Sequence, residues 1–201
     1  KLNGFLRNPR YVLRRSESKG NGEIAVLRRA IAYHKTPNLK KATAEMNRLL
    51  NMRPRDPYYH ELMGQILMEG RQFNAAVASY KKAAALAPRE PLIEAGLGRA
   101  LLAQGSSGAV QQALKILIRA RSRDPNDPQM LRSLALAHAK NGQNAMASVA
   151  TAERYAVLGR FDDAKIHATR AVGALPRGSS GWLRAQDVLA AAQSAPKRKR
   201  K

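Results

Sequence analysis

One pair of residues in this chain begins a recognisable catalytic pattern. His60-Glu61 starts like the HExxH helix of zinc proteases. In that motif two histidines four residues apart share one helix face and bind zinc, while the glutamate acts as general base. Gly64 stands where the second histidine would be. The sequence therefore predicts no metal site here and places His60 and Glu61 on a helix surface.

The remaining residues that could do chemistry are scattered. His34, His138 and His167 fall in separate segments with no paired carboxylates nearby, and the chain has no cysteine. The absence of cysteine excludes disulfides and thiolate metal sites, and it is compatible with either an oxidising or a reducing compartment. Gly96-Leu97-Gly98 is predicted to lie inside a helix with no strand before it, so it is not a phosphate-binding loop. We expect no catalytic residue, no metal site and no cofactor in this chain, which favours a binding role.

A four-residue motif that begins and ends with proline recurs along the chain. Pro54-Arg55-Asp56-Pro57, Pro88-Arg89-Glu90-Pro91 and Pro125-Asn126-Asp127-Pro128 follow one another at intervals of 34 and 37 residues. The first proline of each motif ends a helix, and the second suits the first position of the next helix, where its missing N–H is not needed. A stop and a start every 34 residues are typical of stacked tetratricopeptide (TPR) hairpins.

The period predicts an all-α TPR solenoid. Gly64 and Ala76 allow the two helices of one hairpin to approach, and Tyr80 fills the space toward the next hairpin. Gly70 is expected to stop the first helix of that hairpin. The predicted organisation is a linker or N-terminal helix at 1–22, repeats at about 23–56, 57–90, 91–127 and 128–178, a capping helix at 179–193, and a disordered basic tail at 194–201.

The later part of the chain departs from the 34-residue register. Gly105-Ser106-Ser107-Gly108 is predicted to be a flexible loop inserted between two helices. The stretch from Pro125 to Pro176 then requires helices at about 128–141, 144–158 and 161–175. A last helix from Trp182 to Gln193, capped by Ser179 or Ser180, would cover the end of the array.

The chain is strongly basic, with 36 Lys and Arg against 14 Asp and Glu and a net charge of +22. Five of these charges form the run from Lys197 to Lys201. Such a field attracts nucleic acid, anionic lipid or acidic proteins, although solvated surface charge is the simpler explanation. We disfavour nucleic acid as a partner and keep open a contact between the basic tail and an anionic membrane surface. No apolar run reaches the roughly 20 residues that span a bilayer. Because residue 1 is Lys, we expect the chain to be part of a longer or processed protein.

The first helices of stacked hairpins line a groove that commonly holds a peptide. Spacing relative to the packing residues predicts which side chains face it; for Leu92 and Leu102 core packing is an equal alternative. The Lys and Asn set that co-chaperones use to bind a C-terminal carboxylate is missing at these places, which disfavours a chaperone-tail receptor. The predicted protein-binding groove consists of Tyr58, Glu61, Gln65, Met68, Leu92, Arg99, Leu102 and Arg132.

Several stretches resemble one family of proteins. The opening Leu2-Asn3-Gly4-Phe5-Leu6, with Pro9 and 12–15, is similar to the linker after the catalytic domain of bacterial periplasmic zinc metalloproteases of the β-barrel assembly-enhancing type. The similarity continues through 56–88 and 91–105 and ends at Gly181–Leu189, so it covers nearly the whole chain.

The resemblance implies a function that the residues alone do not show. This chain would be the non-catalytic C-terminal part of a membrane-associated zinc endopeptidase, with zinc only in a catalytic domain that these residues do not include. It would act in the periplasm and recognise substrate, outer-membrane proteins or their assembly machinery, and contact its own protease domain. Two alternatives stay open: a free-standing TPR scaffold or adaptor, and a basic repeat protein that binds RNA or an anionic membrane surface.

Overall fold

The computed structural model describes residues 8–17 and 20–195, apart from the side chain of Glu17. These residues form an all-α TPR solenoid of helical hairpins, as predicted, and contain no β-strand. The eleven helices within the described part of the chain are α1 (Pro9–Glu17), α2 (Glu23–Lys35), α3 (Leu39–Met52), α4 (Pro57–Glu69), α5 (Phe73–Leu86), α6 (Pro91–Gln104), α7 (Ser107–Arg123), α8 (Pro128–Lys140), α9 (Asn144–Val157), α10 (Phe161–Ala174) and α11 (Ser180–Ser194).

Local capping explains where the helices begin. The side chain of Asp56 accepts hydrogen bonds from the backbone N–H groups of Tyr58 and Tyr59, and Pro57 is the first residue of α4. Asp127 accepts from the N–H of Gln129 in the same way at the start of α8. These bonds satisfy donors that have no partner within the helix. The repeated proline motifs therefore mark helix starts, as predicted.

The described residues divide into two compact units, one ending at Gln104 and one beginning at Gly105. In the first unit, α2 packs on α3, α4 on α5, and α5 on α6. In the second unit, α8, α9 and α10 pack in succession, and α11 contacts both α9 and α10. The side chain of Ser179 accepts a hydrogen bond from the N–H of Trp182, so the predicted serine cap of the last helix is confirmed. The boundaries of the repeats remain a prediction.

The core of the first unit is organised around one aromatic ring. Tyr80 of α5 is almost completely buried. A Cβ atom at Gly64 would lie 2.7 Å from the ring atom Cδ2, and one at Gly96 would lie 2.2 Å from Cε1. Only glycine leaves room on both sides of the ring, so α4 and α6 approach Tyr80 from opposite sides. The predicted roles of Gly64 and Tyr80 are confirmed.

The core of the second unit is made of small side chains. Ala164, Ala168 and Ala171 of α10 are buried with Val149 and Ala185 in one apolar cluster. Beside it, a largely buried carboxylate from α9 joins two other helices. Glu153 accepts paired hydrogen bonds from Arg121 of α7 and Arg184 of α11. Such two-pronged pairs fix the orientation of both partners.

Two predicted turns differ in detail from the structure. Gly70 has φ −75°, and the left-handed residue after α4 is Arg71, with φ 59°. Gly70 is the C-cap at which α4 stops, as predicted, and a Cβ atom there would lie 2.6 Å from Leu39 Cδ2, so this glycine also packs closely against that side chain. The predicted loop at 105–108 is shorter than expected, because Ser106 caps α7 and the helix already includes Ser107 and Gly108.

The prediction that His60 lies on a helix surface is wrong. Its side chain is buried, with 8% exposed, and Nε2 lies 2.9 Å from the carbonyl oxygen of Pro54. The His60 side chain therefore links α4 to the loop that precedes this helix. At the chain ends, α11 continues to Ser194, whereas the residues from 196 onward, and with them most of the predicted tail, lie outside the described residues. None of the helices in the described ranges is both long and apolar enough to cross a membrane.

Candidate protein-binding site

The predicted groove residues of the first unit lie on α4 and α6. Tyr58 and Leu92 are about half exposed, at 54% and 51%. Both occupy the second position of their helix, and the Tyr58 hydroxyl donates a hydrogen bond of 3.5 Å to Glu90, immediately before α6. Core packing was the alternative for Leu92, and its exposure favours the surface.

Three polar side chains meet where α4 and α6 face the end of the Tyr80 ring. The Arg99 guanidinium and the Glu61 carboxylate both lie close enough to Tyr80, and to each other, to interact electrostatically. Burial, reinforced by the charge of Glu61, raises the pKa of Tyr80 to about 12. The hydroxyl therefore stays protonated at neutral pH and can donate as well as accept.

Glu61 is a carboxylate in an unfavourable environment. Burial raises its pKa above the ordinary value of 4.5, and the positive charge of Arg99 opposes that rise without cancelling it. A half-buried carboxylate that keeps this raised pKa is under-solvated in the free protein. A partner group that donates hydrogen bonds to the Glu61 carboxylate would supply the solvation that the protein alone does not provide. We call Glu61, Tyr80 and Arg99 the polar cluster.

The carboxyl ends of the first helices carry a second set of contacts. Gln65 is exposed and donates a 3.4 Å hydrogen bond from Nε2 to Glu69 Oε1. The other oxygen of Glu69 lies 3.1 Å from Nε2 of His34, at the end of α2. Met68 is half-buried between these positions. His34 and Glu69 were not identified from the sequence, because the pair is formed by two helices that are not adjacent in the chain.

Two predicted site residues lie elsewhere. Leu102 is buried, with 6% exposed, so it occupies the core position that was its alternative. Arg132 is exposed on α8 and belongs to the second unit. The structure therefore brings Glu61 and Arg99 together, leaves Tyr58, Gln65 and Leu92 at the surface, and assigns Leu102 to packing. Membership of the groove remains a prediction for the exposed residues.

Within residues 8–17 and 20–195, no three His, Cys, Asp or Glu side chains cluster in a way that could hold an ion. What the site presents is a half-buried carboxylate, a guanidinium, an amide and exposed apolar side chains on neighbouring helices. These groups can hold a peptide by hydrogen bonds and apolar contact. The geometry defines a protein-interaction module of the TPR class.

The family of this module follows from its sequence as a whole. Residues 30–175, well over half of the chain, match the family described as the cytochrome c-type biogenesis protein H TPR domain. The chain belongs to this family. No curated protein matches the chain.

Solved structures show the same fold. A thermophilic TPR protein from Thermus thermophilus is 21% identical, with a TM-score of 0.55, over 84% of this chain and 100% of that one. MamA from Desulfovibrio magneticus RS-1, from residue 41 to its end, is 18% identical, with a TM-score of 0.61, over 76% of this chain and 82% of that one. At these low identities the likeness shows the fold alone.

Proposed function

We propose that this chain holds a segment of a partner protein against α4 and α6 during the biogenesis of c-type cytochromes, outside the cytoplasm. The family supports the process and the extracytoplasmic location. TPR folds generally bind protein partners. The observation that carries the site is the polar cluster, in which Glu61 and Arg99 interact with each other and with the buried Tyr80, while Tyr58 and Gln65 of α4 are exposed.

The polar cluster suits a peptide backbone better than a single charged group. Glu61 can accept hydrogen bonds from peptide N–H groups, and Arg99 has donors left for carbonyl oxygens or a carboxylate. Glu61 of α4 and Arg99 of α6 carry opposite charges, so a bound segment would contact a negative and a positive side chain close together. Apolar side chains near the polar cluster can add to the affinity.

The experiment uses the full chain to capture proteins from the envelope of cells that produce c-type cytochromes. Arg99→Glu should lower the recovery of apocytochrome polypeptides about tenfold, because it places two carboxylates against Tyr80. Lys82→Glu on α5 makes the same charge change at an exposed position and should leave recovery unchanged. Arg132→Glu, made separately, tests whether the second unit takes part. A folded Arg99→Glu variant with undiminished capture would remove this site.

A second candidate function comes from the resemblance of 56–88 and Gly181–Leu189 to periplasmic zinc metalloproteases. In that role the chain would be a non-catalytic module that recognises outer-membrane proteins or their assembly machinery for a peptidase domain. The same capture experiment separates the two proposals by the proteins that it enriches. Outer-membrane barrel proteins and assembly components support the peptidase role, whereas cytochrome polypeptides support the first proposal.

A further inference from the structure

Three large apolar side chains occupy one position in successive repeats of the first unit. Ile24, Tyr58 and Leu92 are each the second residue of α2, α4 and α6, and they follow one another at intervals of 34 residues. They are 61%, 54% and 51% exposed. Single exposed apolar residues are common on protein surfaces, but a group of them often marks an interaction site. We call these three residues the apolar row.

Hydrogen bonds hold the starts of the three helices side by side. Glu23, the first residue of α2, accepts from the hydroxyl of Tyr59 and from Nε of Arg53, the latter at 3.0 Å. Tyr58 in turn reaches Glu90, before α6. The members of the apolar row therefore lie on the starts of successive first helices, along one edge of the unit.

Positive charge accompanies the row. Arg55 and Arg89 are exposed in the loops before α4 and α6, again 34 residues apart, and neither makes an ion pair with another described residue. The nearby carboxylates have other partners: Glu23 pairs with Arg53, Asp56 caps α4, and Glu90, which follows Arg89, accepts from the Tyr58 hydroxyl. The helix starts themselves add partial positive charge. The edge thus combines apolar side chains with unpaired cations.

The row leads into a cleft at one end. Ile24 and Arg28 line a cleft of about 530 Å³ together with Ser16 and the first residues of α2. This cleft is open to solvent and can receive a side chain from a bound segment. This shape, together with the regular spacing, favours a polypeptide over a lipid surface.

We propose that the apolar row, with Arg55 and Arg89, binds an acidic amphipathic segment of the partner protein. The segment would present apolar side chains along one face, where they can contact the members of the row. Asp or Glu side chains between them would pair with the two arginines. The inference rests on the proposed function, since it specifies the chemistry of the segment that this unit holds.

The test measures binding of two labelled peptides to the full chain by fluorescence anisotropy. Each peptide has about 18 residues, or about five helical turns, with leucines along one face. The remaining positions are mostly Glu in one peptide and Lys in the other. We expect the wild type to bind the Glu peptide at least about tenfold more tightly than the Lys peptide. Binding should weaken with rising salt, as for charge pairs at a surface.

Two double variants assign the effect to the row and to the arginines. Tyr58→Ser with Leu92→Ser should weaken binding of the Glu peptide by about tenfold or more, because each side chain loses buried apolar contact. Ile166→Ser, which changes a side chain 59% exposed on α10, is the matched control. Arg55→Glu with Arg89→Glu should reverse the preference between the two peptides. Lys81→Glu with Lys82→Glu on α5 should not.

The proposal is overturned if the wild type binds the Lys peptide as tightly as the Glu peptide, or binds neither. Unchanged binding by a folded row variant would also overturn it. If the row variant instead loses binding to anionic vesicles or polyuridylate, the occupant is a lipid surface or RNA. Loss of partner capture in Arg99→Glu, with no effect of the row variants, would leave the proposed function standing without this inference.

Discussion

Replacing Gly96 with alanine tests how the site is built. The added Cβ would lie 2.2 Å from Cε1 and 2.8 Å from Cζ of Tyr80. The ring cannot move away, because its other edge already lies where a Cβ of Gly64 would be 2.7 Å distant. Overpacking a closed site costs about 1–3 kcal/mol, and this clash belongs near the upper end. Alanine recovers about 1 kcal/mol of helix propensity, so the free energy of unfolding should fall by about 2 kcal/mol.

Thermal unfolding followed by circular dichroism measures this loss. For a unit of this size, 1 kcal/mol corresponds to about 4–8 °C, so the midpoint should fall by about 8–16 °C. Gly173→Ala is the matched control, since α10 is exposed there and no atom lies within 4 Å of the new Cβ. It should stabilise the protein by up to about 1 kcal/mol.

A double-mutant cycle identifies the cause. In a Tyr80→Ala background the ring is gone, so Gly96→Ala should be neutral or stabilising rather than destabilising. An equal loss in both backgrounds would mean that Tyr80 is not what excludes a side chain at Gly96. A rise in the midpoint for Gly96→Ala alone would refute the packing of α6 against the ring.

Three further predictions concern charge and packing. Glu61→Gln should stabilise the protein at pH 7, because the raised pKa of Glu61 shows that its charged form is disfavoured in the folded state. This gain in stability over the wild type should disappear below pH 4.5, where the wild-type carboxyl is protonated. Thermal midpoints measured between pH 7 and pH 4.5 and below would show the change. Glu153→Gln should lower the free energy of unfolding by about 3 kcal/mol at pH 7 in urea titrations. Burial alone would raise the pKa of Glu153, but the hydrogen bonds from Arg184 and Arg121 lower it overall, so this loss should shrink as the wild type is acidified below pH 4.5. Ala76→Leu should cost about 1–3 kcal/mol by overpacking a fully buried site, and an unchanged thermal midpoint would contradict its burial.

The family could not be read from the motifs alone. The positions that repeat every 34 residues, such as Gly64, Ala76 and Tyr80, pack in the same way in every TPR hairpin. They therefore indicate the fold without indicating the partner. The resemblance to zinc metalloproteases depends on separate stretches such as 56–88 and Gly181–Leu189, whereas the continuous match over 30–175 places the chain among cytochrome c-type biogenesis TPR domains.

The sequence by itself determined the helices and their ends. Proline, aspartate and serine act through bonds within a few residues, so the starts at Pro57, Pro128 and Ser180 follow from local chemistry. The small residues that must be buried also follow from the repeat. Even here, the close packing of Gly70 depends on Leu39, which lies on α3 of the preceding hairpin.

Only the tertiary structure decided which polar residues meet. The spacing placed Glu61 and Arg99 on two first helices, but their interaction with Tyr80 and with each other requires α4 and α6 to close on the ring from both sides. The burial of His60 and Leu102 and the pairing of His34 with Glu69 likewise arise between elements distant in sequence. Burial and electrostatic interaction depend on distances in space, and a repeat pattern specifies those distances only for the residues that pack in every repeat.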